Sequence, residues 1–259
     1  MSLHELFSLR GRTALVTGGS RGIGQMIAQG FASFGARVLL VARDRDAVDA
    51  AVRQLRDTGA EAQGFTADLS RIDELDRLVG ELHAASPRLD ILVNNAAAVW
   101  NASLETFPPD GWDKVVNLNL RSPFFLIQRL LPLLRAAASD QSPARIINVV
   151  SADALHVPLT DTYSYTAAKA GLVMLTRMLA QRLGPDRITV NALAPGPFET
   201  RMTARAFAER GAEFLAQIPL HRYGTTEDAA GAAIFLASRA GAYVNGTTLP
   251  VDGGWVGAL

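Results

Sequence analysis

From one end of the chain to the other, short unbroken apolar runs alternate with longer stretches whose apolar residues recur every three or four positions. The runs lie at residues 13–17, 37–41, 61–66, 90–94, 144–150, 188–193 and 248–251, and they predict strands. Because they are continuous rather than alternating, both faces of the resulting sheet should be covered. The longer stretches, at 22–34, 47–58, 72–85, 111–136, 165–183, 202–217 and 227–238, predict helices. Asp73, Glu74 and Asp76 load one first turn with acid, as the helix dipole favours. This alternation predicts an α/β fold: a Rossmann-like, doubly wound parallel sheet of about seven strands with helices on both faces. No linker, change of composition or repeat divides residues 1–259, so a single domain is expected. Only residues 197–221 break the rhythm, and they are the candidate for a lid.

Composition narrows the choice of partner. The chain carries 25 basic and 25 acidic side chains, so no net field draws it to nucleic acid or to an anionic membrane. Cysteine is absent, which excludes disulfides, thiolate metal sites and a thiol nucleophile. His4, His83, His156 and His221 show no ligand spacing, so no metal site is expected. The apolar stretch 124–134 is interrupted by Arg129 and Pro132, and no run reaches the ~18–20 residues that cross a bilayer. Residues 1–12 are charged throughout and hold no signal core, so the cytoplasm is the expected compartment.

The first strand ends in Thr17-Gly-Gly-Ser-Arg-Gly-Ile-Gly24 and runs straight into a helix. Glycines 18, 22 and 24 there let a backbone approach a pyrophosphate resting on the helix N-terminus. The second strand ends at Ala42 and is followed by Arg43, where an NAD site places an acid for the ribose 2′-hydroxyl. Arg43 suits a 2′-phosphate, with Arg21 closing the other side, so NADP(H) is expected. Asp44 and Asp46 keep NAD(H) as the alternative. Asp68 after the third strand suits either an adenine amino group or a helix cap. Asn94 and Asn95 close the fourth strand, where ligands sit in open α/β sheets.

Only Lys114 and Lys169 are lysines among the 25 basic residues, and Lys169 lies four residues after Tyr165. On a helix this spacing puts an ammonium beside a phenol. The cation should lower the phenol's pKa from about 10 and make the pair a general acid/base. Ser151, following the fifth strand, could orient a carbonyl toward that phenol. Asn119, a mid-helix amide, could hold a water or fix a kink, with Asn117 as competitor.

These motifs, with Pro195-Gly196, Thr200 and Val251-Asp-Gly-Gly254, resemble the short-chain dehydrogenase/reductase family over essentially the whole chain. The resemblance implies Tyr165 as acid/base, Lys169 as the group tuning it and gripping a ribose, Ser151 as carbonyl orienter and Asn119 as anchor of a water relay. It implies cofactor contacts from Gly18, Ser20, Arg21, Gly22, Ile23, Gly24, Arg43, Asp68, Leu69, Asn95, Ala96, Ala97, Tyr165, Lys169, Pro195, Gly196, Phe198 and Thr200. Ala97 stands where the family has glycine, which is tolerable if its φ is negative. The Ser151–Tyr165 interval is one residue longer than the family's. Residues 9–29, Leu130–Leu134 and Pro143–Arg145 are similar to NADPH-dependent 3-oxoacyl reductases of rhamnolipid biosynthesis. The implied activity is NADPH-dependent reduction of a ketone to a secondary alcohol on a 3-oxoacyl-type substrate. A sugar or sugar-acid (gluconate-type) dehydrogenase and a non-catalytic NADPH sensor are the alternatives. Trp100, His156, Phe198 and Met202 are candidate substrate-pocket residues, and Arg201, Arg205 and Arg210 could meet an anionic tail. The family also implies a homotetramer or dimer, to which small residues such as Ala167, Ala170 and Gly171 would give close packing.

Overall fold

The computed structural model describes residues 3–257, and its seven strands form one parallel sheet in the order β3-β2-β1-β4-β5-β6-β7. The strands are β1 (Thr13–Thr17), β2 (Arg37–Ala42), β3 (Ala62–Thr66), β4 (Ile91–Asn94), β5 (Ala144–Val149), β6 (Ile188–Pro195) and β7 (Thr248–Val251). Each predicted strand is present, and the all-parallel pairing follows from the helix inserted after each one. β1 and β5 are buried along their whole length, which is why they read as unbroken apolar runs.

Neighbouring strand residues nevertheless serve opposite faces. Ala14, Val16, Val38 and Leu40 pack with α2 (Gly22–Ser33), α3 (Arg45–Asp57) and α9 (Thr226–Ala237). Leu15, Leu39, Val41 and Leu92 pack with α4 (Ile72–Ala85), α6 (Ser122–Ala137) and α7 (Tyr163–Leu183). In α3 the buried Val48, Ala51, Val52 and Leu55 follow helical spacing behind an Asp44 cap. Gly30 lets α2 close on α9, where a Cβ would lie 2.5 Å from that of Ala230.

One departure from the sequence expectation matters for the site. The helix expected at 111–136 is α5 (Pro109–Val116) and α6, joined by a π-turn over Asn117–Arg121. A short α1 (Leu3–Phe7), unforeseen, precedes β1, and His4's side chain lies outside the described residues. The helix expected at 202–217 is α8 (Ala204–Gln217), kinked at Arg210 (φ −136°, ψ 21°). No helix among the described residues is long and apolar enough to cross a membrane.

Candidate active site at the strand ends

The strand order reverses between β1 and β4, and there a cleft of about 800 Å³ opens along the carboxyl ends of the strands. A more open crevice of about 1260 Å³, lined in part by Phe7, Arg12, Thr13 and Arg37, lies at the amino ends of β1 and β2. It contains none of the candidate catalytic or cofactor-binding residues, which makes the cleft the candidate site.

The glycine turn forms one end of it. Gly18 and Gly22 have φ of 63° and 55°, which glycine adopts without strain. At Gly24 a Cβ would sit 2.3 Å from Asn95 Nδ2 and 2.5 Å from the Gly18 carbonyl oxygen. Gly24 thus supports the turn from behind, while Gly18, Ser20, Arg21, Gly22 and Ile23 line the cleft. The Thr17 hydroxyl ties this turn to the end of β4: it accepts from the Asn95 and Ala96 backbone N–H groups at 2.8 and 3.0 Å. Asn95 Nδ2 donates in return to the Thr17 carbonyl at 2.8 Å. Arg21 at the start of α2 offers no side-chain cap, so the first-turn N–H groups remain available to an anion.

Around the corner, Ala42 and Arg43 line the cleft. Arg21 and Arg43 are exposed, and neither guanidinium has a protein partner among the described residues. Asp44 does not compete for a ribose: its carboxylate accepts from Ala47 N at 3.1 Å and caps α3. Asp68 also turns to its own backbone, accepting from Ser70 N and Oγ at 3.0 and 2.7 Å. That is a local turn and not the helix cap, since α4 starts behind Arg71 without a side-chain cap, and Leu69 rather than Asp68 lines the cleft.

At the other end Ser151, Tyr165 and Lys169 share one wall. A buried amide chain holds their elements together. Asn94 Nδ2 donates to Asn148 Oδ1 at 2.8 Å, and Asn148 Nδ2 donates to Thr176 Oγ1 at 2.9 Å, linking β4, β5 and α7. The Ser151 hydroxyl accepts from Asp153 N at 3.2 Å and bonds the Tyr165 phenol. Lys169 Nζ lies 5.7 Å from the Tyr165 ring centroid, so the i,i+4 spacing does put both groups on one face.

The electrostatics differ from the sequence expectation. Burial, then the Asp153 carboxylate, pushes the Tyr165 phenol well above its ordinary value, against the hydrogen bond from Ser151. Lys169 does not pull it down, because burial lowers the amine itself to about 7 and leaves it only about half charged at pH 7. Its Nζ instead donates to the Val149 carbonyl at 2.7 Å. Between pH 7 and the amine's ordinary 10.5, the folded protein releases a proton that the unfolded chain keeps, so stability climbs with pH. Cofactor-free Lys169→Met protein should therefore melt at a higher temperature than wild type at pH 7. Calorimetry should show that gain shrinking as the pH approaches 10.5.

Several expected residues sit elsewhere. Asn119, 1% exposed in the π-turn, does not reach the cleft: its amide accepts from Ala98 N and donates to Ala98 O, both at 2.9 Å. That clip holds the segment carrying Ala97 and Val99, which do line the cleft. Ala97 is not among the residues of positive φ, as its replacement of glycine requires. Trp100 is not a pocket residue, because its ring covers Gly111 and carries the Lys114 ammonium at 5.3 Å. His156 also stands behind the wall, 3.5 Å from Asp153 and tilted against Trp255 at 4.8 Å between centroids. Pro195, Gly196, Phe198, Thr200 and Met202 do line the cleft, although the Phe198 ring is buried over Gly224. Arg205 pairs with Glu209 and Arg210 with Glu213, whereas Arg201, at the cleft, has no protein partner among the described residues.

Among the lining residues that sequence reasoning missed are Asp153 and Trp255. A lone carboxylate directly after a buried strand, and an aromatic directly after Asp252-Gly-Gly254, were the available signals.

Residues 18–256 match a family model described as enoyl-(acyl carrier protein) reductase. The chain is 48% identical to the rhamnolipids biosynthesis 3-oxoacyl-[acyl-carrier-protein] reductase of Pseudomonas aeruginosa, over 98% of this chain and 99% of that one. It is 38% identical to the 2-dehydro-3-deoxy-D-gluconate 5-dehydrogenase of Escherichia coli, over 96% and 97%. Among solved structures it superposes on the Pseudomonas aeruginosa RhlG/NADP active-site complex with a TM-score of 0.93, at 48% identity over 98% and 99% of the two chains. A glycine turn on β1, a serine after β5 and a Tyr-x-x-x-Lys face on α7, matched over nearly the full length, place this chain in the short-chain dehydrogenase/reductase family.

Proposed function

We propose that this chain is an NADPH-dependent reductase that converts the ketone of a 3-oxoacyl thioester to a secondary alcohol. The observation that carries the reading is the single cleft. It joins a glycine turn with two unpartnered guanidiniums to a Ser151–Tyr165–Lys169 wall.

The residues at the glycine end fit a dinucleotide phosphate. The open N-terminus of α2 suits a pyrophosphate, and Arg43 with Arg21 suits a 2′-phosphate. Asn95, Ala96, Ala97, Pro195, Gly196 and Thr200 border the path from there to Lys169, whose amine suits a ribose hydroxyl. The chemistry a bound nicotinamide supplies is hydride donation to the carbonyl carbon.

The protein supplies position and the proton. Ser151 and the Tyr165 phenol converge on one point of the wall, where they hold the ketone oxygen by two hydrogen bonds. As that oxygen gains negative charge, Tyr165 releases its proton to it. Burial keeps the phenol protonated until that moment, which is what a donor needs. Lys169, lowered to about 7, can take up or release a proton at neutral pH and so serve the phenol's refilling. Asn119 acts through Ala98, holding the opposite wall in place.

The substrate end favours an acyl chain. Leu159, Met202, Phe207, Phe214 and Trp255 line it. Asp153 adds a carboxyl to that lining, which would repel the carboxylate of a sugar acid and tolerate an uncharged thioester. Following NADPH absorbance against 3-oxoacyl thioesters, sugar-acid ketones and cyclic diketones tests the assignment. Turnover is expected on the thioesters. Turnover confined to the sugar-acid ketones would reassign the chain to gluconate-type chemistry, and none at all would favour the sensor.

The reading extends to the cytoplasm as its compartment and to a homotetramer as its assembly. Exposed Trp112 on α5, Phe124 on α6, and Met174 and Met178 on α7 support self-association through these helices.

A further inference from the structure

Trp255 lines the cleft and packs in a cluster with Ala152, which follows Ser151, and Phe214. It is only 4% exposed, so most of its indole is engaged elsewhere. Three neighbours pin the ring. His156, on the loop that follows Ser151, lies against it at 4.8 Å between centroids, the rings tilted by 56°. Phe214 of α8 meets it edge-on at 5.8 Å and 82°. The indole N–H donates to Gln217 Oε1, at the last turn of α8, at 3.1 Å.

The backbone beneath is held as firmly. Asp252 accepts from Gly254 N and Val256 N, both at 2.9 Å, across a turn in which Gly253 and Gly254 have φ of 67° and 93°. His156 is in turn backed by Asp153 at 3.5 Å. The catalytic loop, the lid helix and the C-terminal turn therefore meet on one side chain. Of its partners, Phe214 shares the lining, whereas His156 and Gln217 stand behind.

We infer that Trp255 is the end wall of the substrate subsite and sets the length of acyl chain the enzyme accepts. The inference rests on the 3-oxoacyl reading for the identity of the chain, but not for the existence of the wall. A longer tail must displace an indole gripped from three sides, and one methylene in such a pocket alters discrimination by about 10–200-fold. His156, expected from the sequence to touch substrate, acts instead by holding Trp255 in place.

The test compares kcat/KM along a homologous series of 3-oxoacyl thioesters, and in parallel along straight-chain aliphatic ketones, for wild type, Trp255→Ala and Trp255→Phe. Trp255→Ala should raise kcat/KM for the longest members over the shortest by at least ~10-fold, with NADPH Kd unchanged. Trp255→Phe, which keeps an aromatic ring against His156 and Phe214, should shift the profile less. An unchanged profile in folded Trp255→Ala overturns the wall and leaves the 3-oxoacyl reading intact. A profile that shifts along the ketones, with no thioester turned over by wild type, overturns that reading and leaves the wall intact. If Trp255→Ala fails to fold, Gln217→Leu decides the matter by removing the indole's hydrogen-bond partner from outside the cleft. A broadened length profile supports the wall, and the wild-type profile overturns it.

Discussion

Tyr165→Phe should lower turnover at least ~10²-fold while leaving NADPH affinity within about twofold of wild type. The substitution removes one oxygen and keeps the ring, so the aromatic surface next to Lys169 and the start of α7 should persist. Ser151 keeps its bond from Asp153 N and can still hold a ketone oxygen. What is lost is the proton delivered as charge develops on that oxygen, a step worth about 10²–10⁴-fold. The nearest substitute donor is Lys169, but its amine is turned to the Val149 carbonyl and is lowered to about 7. Steady-state turnover and a fluorescence titration of NADPH check both halves. Residual activity above about a tenth of wild type would refute the role, since general acid catalysis of this kind cannot be removed so cheaply. A parallel loss of NADPH affinity would instead make the phenol a binding group.

The sequence made the sheet legible because strands covered on both faces must be apolar at consecutive positions, as β1 and β5 are. It made the Tyr165–Lys169 face legible because i,i+4 adjacency is a property of any helix. It could not show how readily the two groups hold their protons, because that depends on burial by residues distant in the chain. A charge visible in the sequence is about half lost from the folded site at pH 7 when desolvation lowers its amine to about 7. The break in the helix after Val116 was hidden for a related reason. No glycine marks it, and the contact across it is an amide of Asn119 with the backbone of Ala98, 21 residues away. The pocket residues followed the same rule. His156 lies close to Ser151 in sequence, yet the C-terminal turn returns to place Trp255 between it and the cleft. In the sequence the Asp44 cap reads only as support for NAD(H), although an acid three residues before Ala47, at the head of an amphipathic stretch, is an ordinary helix start.

That cap bears on the second large effect. Arg43→Ala should weaken NADPH binding roughly 10–100-fold, as expected from losing a hydrogen bond between charged groups worth about 1.5–3 kcal/mol. NADH, which lacks the 2′-phosphate, should change by less than about threefold. The discrimination is clean because Arg43 has no structural duty: it is exposed and has no protein partner among the described residues. Asp44 continues to cap α3 in the variant, so the cleft wall should not move. Arg21 should account for the NADPH preference that remains, and Arg21→Ala combined with Arg43→Ala should bring the two cofactors close to parity. Salt separates contact from a diffuse field, since exposed charges beyond about 8 Å are screened at physiological ionic strength. A bidentate guanidinium–phosphate contact should retain most of its cofactor preference in paired titrations at low and physiological salt. Equal losses for NADPH and NADH would return Arg43 to the solvated surface and reopen the choice of nucleotide.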